Sequence, residues 1–115
     1  MLNVQWLKSK ADTWLELNTF NIETCTSSGV YIIWHKGNPS QVVYVGQGNP
    51  IAPRLTSHRS DRRFQKYADK TLLVTWATVS VAQQDGVERY LADQWSPLVG
   101  DAHPDVSPIA VNSPW

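Results

Sequence analysis

The charged side chains of this chain are segregated along the sequence, and the segregation indicates chemistry on an anion. Residues 54–70 carry six cations and two carboxylates, whereas residues 85–105 carry five carboxylates and one cation. A basic segment and an acidic segment in one small domain suit an anionic substrate held beside a metal ion. A surface of merely uneven charge is the alternative interpretation. Because the net charge of the whole chain is zero, the informative feature is the distribution of charge.

Two tyrosines ahead of the basic segment lie in runs that are typical of strands. Residues 29–35 and 41–46 are rich in β-branched and aromatic residues, and the turn-forming residues 36–39 separate them. This pattern predicts a β-hairpin. A register that sets His35 against Ser40 places Tyr31 directly opposite Tyr44. Both phenols would then point to the same face of the sheet.

Three basic side chains of the 54–70 segment recur every four residues. Pro53 suits the first turn of a helix, and Arg54, His58 and Arg62 would then share one helical face. Other elements follow from hydrophobic periodicity and turn residues: an amphipathic helix over 3–16, a connection over 17–28, a third strand over 71–81, a helix from Asp85 to Trp95 and a Pro-rich tail without regular structure.

The order of these elements predicts an α+β fold with a small, mainly antiparallel three-stranded sheet flanked by helices. A chain of 115 residues suits one domain, 1–115. Within it, residues 1–28 form the N-terminal helix and connection, 29–100 the core with the candidate site, and 101–115 the tail.

Composition narrows the class of protein. The single cysteine, Cys25, excludes an internal disulfide framework and fits a reducing compartment. No apolar run reaches the roughly 18 residues of a membrane helix, and the N-terminus lacks the pattern of a signal peptide. We therefore expect a cytoplasmic protein with no membrane partner. The sequence leaves the oligomeric state open.

The strand tyrosines belong to two tripeptides that resemble a known nuclease signature. Gly29-Val30-Tyr31 and Tyr44-Val45-Gly46 are similar to the two halves of the GIY-YIG motif, each with Val in place of Ile. Further matches follow in the family's order, over about residues 28–100: Arg54 ten residues after Tyr44, His58 one helical turn later, Glu88 on a later helix, and Pro97. One position departs, because the family's usual Asn after the Pro is Gly100 here.

The resemblance implies phosphodiester hydrolysis with one divalent metal, Mg²⁺ or Mn²⁺. Glu88 would be its only protein ligand, which suits an ion that keeps several waters. Arg54 and the metal would together neutralise the charge that develops on the phosphorus centre. A guanidinium fits this role because it stays charged and can hold two phosphate oxygens.

The same resemblance assigns Tyr31 to the attacking water. A free phenol with a pKa of ~10 is a poor base at neutral pH, so Tyr31 needs a metal-bound water, nearby cations or a relay. Either Arg54 and a protonated His58 lower the pKa of Tyr31, or a neutral His58 takes the proton, through Tyr31 or directly. Tyr44 would orient the water or the phosphate. The five expected catalytic residues are thus Tyr31, Tyr44, Arg54, His58 and Glu88.

The implied partner is nucleic acid, with DNA ahead of RNA. Non-specific phosphate contacts are assigned to Arg59, Arg62, Arg63 and Lys66. The alternative function is a GIY-YIG-like nucleic-acid-binding module that is catalytically weak or inactive, and Gly100 is the main reason to keep it.

Three residues outside the motif complete the expectations. Asn112 could replace the missing Asn if the tail folds back toward the site. His103 has no partner at ligand spacing and is expected to be structural or solvated. Trp115 either docks in a groove or stacks on a base.

Overall fold

The protein is organised around one four-stranded antiparallel sheet. In the computed structural model, which describes residues 1–100 and 103–115, the strand order is β1-β4-β2-β3. The strands are β1 (Leu15–Glu16), β2 (Gly29–His35), β3 (Gln41–Gly48) and β4 (Leu72–Thr78), the helices are α1 (Ala52–His58), α2 (Arg62–Gln65) and α3 (Val81–Trp95), and short 3₁₀ turns cover Ile22–Thr24 and Ala68–Lys70. The α+β class is confirmed. The expected three strands are corrected to four, because the two residues of β1 pair with β4.

Helices and loops cover both faces of the sheet. Leu55 of α1 and Phe64 of α2 pack with Tyr31 and Ile33 on one face, which we call the α1/α2 face. Val87 and Leu91 of α3 pack against the opposite, α3 face. The central strand β2 is buried at every position, which explains its continuous run of apolar and aromatic residues.

The hairpin is confirmed, but its register differs from the predicted one. His35 pairs with Gln41, and a bulge follows, so that Tyr44 lies opposite Ile33 and Tyr31 lies opposite Gly46. The connecting loop is one residue longer than expected, and the bulge adds one more residue to β3. Two extra residues restore the alternation of a strand, so Tyr31 and Tyr44 still point to the same face.

The predicted N-terminal helix is wrong, because this segment is extended. Leu2 forms a parallel bridge with Val111, and the Leu7 N–H donates to the carbonyl of Trp76. Leu2, Val4 and Trp6 are half-buried while their neighbours are exposed. This two-residue alternation is the period of a strand. The helical spacing of apolar residues farther along the segment does not lead to a helix.

The predicted continuous face of Arg54, His58 and Arg62 is also wrong. Helix α1 ends at His58, and Asp61 begins α2 by accepting a hydrogen bond from the Arg63 N–H. Asp at an N-cap satisfies a backbone donor that otherwise lacks a partner. Arg62 therefore lies on a separate helix.

The helix that carries Glu88 begins earlier than expected. The third strand ends at Thr78, and α3 starts at Val81 instead of Asp85. Ser80 donates a side-chain hydrogen bond to Gln83, and Ser followed three residues later by Gln is a helix-start pattern.

The described part of the tail packs along the α3 face. Of the predicted tail 101–115, residues 101 and 102 lie outside the described residues. Val111 is buried, and the Ile109 N–H donates to the Gly86 carbonyl of α3. Trp115 docks against Trp34 and Trp95, with ring centroids 4.8 and 5.2 Å away. Docking, the first of the two alternatives for Trp115, is what the structure shows.

Asn112 does not support the site. Its side-chain oxygen accepts from the Val4 N–H at 2.7 Å, and its amide nitrogen donates to the Val4 carbonyl at 3.0 Å. Val4 packs in the cluster on the α3 face, whereas Tyr31 belongs to the α1/α2 face. The expectation fails because the tail pairs with the N-terminal segment rather than with the hairpin.

Cys25 is buried and free, as one cysteine requires. None of the helices among the described residues is long and apolar enough to cross a membrane.

Candidate active site

Four of the five motif residues meet on the α1/α2 face through two hydrogen bonds. The Tyr31 hydroxyl and His58 Nε2 are 2.7 Å apart. Arg54 donates to the Tyr44 hydroxyl at 3.1 Å and to the Gln47 carbonyl at 3.1 Å. The two tyrosine rings lie 6.0 Å apart between centroids. Two side chains of the hairpin and two of α1 therefore form one cluster.

Gly46 makes the approach of the two phenols possible. A Cβ at this position would lie 2.6 Å from the Tyr31 hydroxyl and 2.6 Å from a Tyr44 ring carbon. No side chain fits there without displacing both rings. The last residue of the second tripeptide is thus required by packing inside the cluster.

His58 is held in a protected, neutral form. Phe64 of α2 stacks on the imidazole with ring centroids 4.2 Å apart and planes 10° apart. Burial, and secondarily the charge of Arg54, lower the pKa of His58 to about 4. The imidazole is therefore uncharged at neutral pH. Phe64 was not identified from the sequence, since a single aromatic residue on a short helix gives no local signal of stacking.

Tyr31 is fully buried, with none of its surface exposed. Burial raises the pKa of Tyr31 above the ordinary phenol value, and the nearby Arg54 offsets this only in part. The raised pKa of Tyr31 and the lowered pKa of His58 disagree with the route in which a protonated His58 lowers the pKa of Tyr31. The neutral-His58 route agrees with this geometry.

Glu88 of α3 interacts with this cluster electrostatically, and among the described residues it makes no hydrogen bond to it. Its charge contributes to the raised pKa of Tyr31, so the carboxylate lies within electrostatic range of the phenol. The Glu88 side chain is only 10% exposed and is 3.2 Å from His103 Nδ1. His103 is therefore not an isolated histidine, as the sequence suggested, but a partner of Glu88.

The basic residues differ in what they can offer a ligand. Arg59 donates to the carbonyls of Leu17 and Phe20, both at 2.7 Å, so it anchors the N-terminal segment instead of facing an anion. Arg63 is paired with Asp61. Arg62 on α2 and Lys66, directly after the end of α2, are exposed and are the better candidates for phosphate contacts.

Two described members of the acidic segment come near the cluster. Glu88 interacts with Tyr31 electrostatically. Asp85 accepts a hydrogen bond from the side chain of Gln47, whose carbonyl accepts from Arg54. Asp101 lies outside the described residues. No group of three or more His, Cys, Asp or Glu side chains that could hold a metal occurs in the described part of the chain. Any metal at this site would therefore rest on the Glu88 carboxylate, with water supplying most other ligands, and Mg²⁺ tolerates such a shell.

The arrangement combines an exposed guanidinium, a carboxylate and a phenol–imidazole pair. These groups can bind an anion, hold a divalent cation and move a proton. Comparison with protein-family models, with curated proteins and with solved structures found no match for this chain.

Proposed function

We propose that the chain is a GIY-YIG-like endonuclease that hydrolyses phosphodiester bonds in nucleic acid with Mg²⁺ or Mn²⁺, and that DNA is favoured over RNA. The observation that carries the proposal is the meeting of Tyr31, Tyr44, Arg54 and His58 in one hydrogen-bonded cluster within electrostatic range of Glu88. These residues lie on four elements, separated by up to 57 positions in the sequence.

Arg54 binds the scissile phosphate in this proposal. Its side chain is exposed, and its two bonds to Tyr44 and Gln47 use two of the five guanidinium donors. The planar fork suits two phosphate oxygens. Tyr44, already bonded to Arg54, sets the angle of the guanidinium.

Tyr31 and His58 move the proton of the attacking water. In the tautomer with the proton on Nδ1, the Tyr31 hydroxyl donates to His58 Nε2. As water gives a proton to the phenol oxygen, the phenol passes its own proton to the imidazole. His58 is unprotonated at neutral pH because its pKa is lowered to about 4, so it can accept the proton, as a weaker base than a free imidazole.

Glu88 would hold the divalent metal. One carboxylate with few protein partners fits an oxygen-preferring ion that retains its waters. When bound, the metal supplies Lewis-acid stabilisation of the charge on the phosphate.

A nucleic-acid-binding module without cleavage is the second candidate function. It is favoured by the complete burial of Tyr31, because no water contacts the phenol oxygen while that side chain stays buried. In that case the cluster has only a structural role, and the exposed cations alone bind nucleic acid.

Incubation of the full chain with labelled DNA and RNA, single- and double-stranded, tests the proposal. Cleavage should require Mg²⁺ or Mn²⁺ and should stop with EDTA. Glu88→Gln should abolish cleavage, and Arg54→Lys should reduce it at least 100-fold, since a point charge cannot replace the bidentate contact.

Asp93→Asn is the matched control, because Asp93 lies on α3 in an exposed ion pair with Arg89. Cleavage by Glu88→Gln at the wild-type rate would contradict the nuclease proposal. Binding without cleavage by the wild-type chain, under every metal condition, would establish the second candidate.

A further inference from the structure

Glu88 has one hydrogen-bond partner among the described residues, and that partner is His103. The Nδ1 of His103 lies 3.2 Å from Glu88 Oε2. Both side chains are largely shielded from solvent, with 19% and 10% of their surface exposed. The contact joins the tail to α3 across 15 residues of sequence. It is therefore a tertiary contact and not a consequence of local helix geometry.

The chain is directed toward this contact by the edge of the sheet. The N–H groups of Leu98 and Val99 donate to the carbonyls of Val42 and Val43, so this segment follows the outer side of β3. Gly100 then turns with φ of +124°, a conformation that L-residues rarely adopt.

Gly100 also marks how closely His103 approaches the cluster. A Cβ at Gly100 would lie 3.5 Å from a ring carbon of Tyr44 and 3.7 Å from a ring carbon of His103. The two rings therefore flank the same small volume. His103 thus lies beside Tyr44 as well as Glu88, at the mouth of the proposed active site.

We infer that His103 is a positioning residue that fixes the Glu88 carboxylate for divalent-metal binding. The inference rests on the proposed function of this site and deepens it. The imidazole Nδ1–H holds Oε2, which leaves Oε1 without a hydrogen-bond partner among the described residues and available to the ion. A carboxylate on a helix otherwise samples several rotamers, and a hydrogen-bonded outer partner removes that freedom.

Metal binding by the full chain tests the inference without relying on cleavage. Mn²⁺ affinity is measured by electron paramagnetic resonance of the free ion, and Mg²⁺ affinity by competition with Mn²⁺. We expect His103→Ala to weaken the binding of both ions by about 10- to 100-fold. His103→Asn places an amide N–H where Nδ1 stood and should restore binding to within about threefold of wild type.

Two further variants control for folding and for the turn. Asp93→Asn should bind Mn²⁺ like the wild type. Gly100→Ala keeps both His103 and Glu88 but strains the turn at position 100. It should weaken Mn²⁺ binding to the same extent as His103→Ala. Circular dichroism checks that each variant is folded.

The outcomes separate this inference from the proposed function. If Glu88→Gln loses Mn²⁺ and cleavage while His103→Ala loses neither, the positioning role is wrong and the nuclease proposal stands. If His103→Ala and Glu88→Gln both lose Mn²⁺ while the wild type cleaves nothing, the positioning role stands and the nuclease proposal is wrong. Weaker Mn²⁺ binding with an unchanged Mg²⁺ affinity in His103→Ala would show direct coordination and would overturn the inference, as would a wild-type chain that binds no Mn²⁺.

Discussion

At the scale of single residues, the pH sensitivity of the cluster comes mainly from His58. The imidazole is enclosed by the Tyr31 hydroxyl, the Tyr44 ring and the Phe64 ring. Protonation would place a positive charge in this enclosure and close to Arg54. The folded protein therefore favours the neutral form, and the pKa of His58 is lowered to about 4.

We predict that acid destabilises the protein through His58. Because the folded pKa lies below the unfolded value of ~6.5, unfolding recruits a proton as pH falls. The stability is complete above pH ~6.5 and is lost progressively as pH falls to about 4. The loss should reach about 2–3 kcal/mol. Urea unfolding at a series of pH values measures it.

His58→Gln is the comparison variant, since its side chain does not titrate. Its unfolding free energy should fall less than that of the wild type between pH 7 and 4, by the same about 2–3 kcal/mol. Equal pH slopes for the two proteins would show that His58 is accessible to protons in the folded state. Asp61 titrates in both proteins, because hydrogen bonds from Arg63 lower its pKa. The charge of His58 is the smallest of the causes that act on Asp61, so most of the Asp61 contribution is common to the two proteins.

At the scale of elements, the break between α1 and α2 gives the basic residues different surroundings. Arg54 belongs to the cluster on α1, and Arg59, after the end of α1, is tied to backbone carbonyls. Arg62 on α2 and Lys66 directly after it remain exposed. Since α1 and α2 cover the same face of the sheet, these cations lie on the side of the molecule that carries Arg54.

We predict that α2 contributes the non-specific part of nucleic-acid binding. Replacing Arg62 and Lys66 together by Ala should lower the slope of log affinity against log salt concentration by about one to two. The effect should be the same for different sequences, because phosphate contacts do not read bases. Fluorescence anisotropy over a range of salt concentrations measures it.

The control for this experiment is Arg89→Ala, which removes a cation from α3, on the other side of the sheet. Its slope should match the wild-type slope. A double variant on α2 whose slope is unchanged would assign binding to another surface.

At the scale of the whole molecule, the two ends of the chain close over the α3 face. Leu2 pairs with Val111, and Asn112 bonds both backbone groups of Val4. Trp6 also donates through its indole nitrogen to the Asn112 carbonyl. These contacts replace the predicted helix and give the tail a structural role remote from the catalytic cluster.

We predict that Asn112→Ala costs stability and spares catalysis. It removes two hydrogen bonds and leaves the Val4 backbone without those partners, which should cost about 1–3 kcal/mol. The melting temperature should fall by several degrees. Cleavage per folded molecule should match the wild type.

Asn3→Ala, an exposed neighbour of Val4, is the matched control and should leave the melting temperature within about 1 °C. The opposite pattern, in which Asn112→Ala loses cleavage at an unchanged melting temperature, would contradict this prediction and would indicate that Asn112 supports the active site.

The sequence by itself determined the features that depend on local periodicity. Strand alternation predicted that Tyr31 and Tyr44 share a face, and this survived a wrong register because the error was an even number of residues. The spacing of Arg54 and His58 predicted one helical turn between them. Turn residues and β-branched runs predicted the hairpin, because these preferences act within a few neighbouring residues.

Tertiary structure decided what depends on distant partners. The N-terminal segment is extended because Leu7 bonds Trp76 and Val4 bonds Asn112, 108 residues away. His103 meets Glu88 only because the chain follows the edge of β3 and turns at Gly100. Burial then keeps His58 neutral and Tyr31 protonated, since desolvation is a property of the assembled core and no local pattern encodes it.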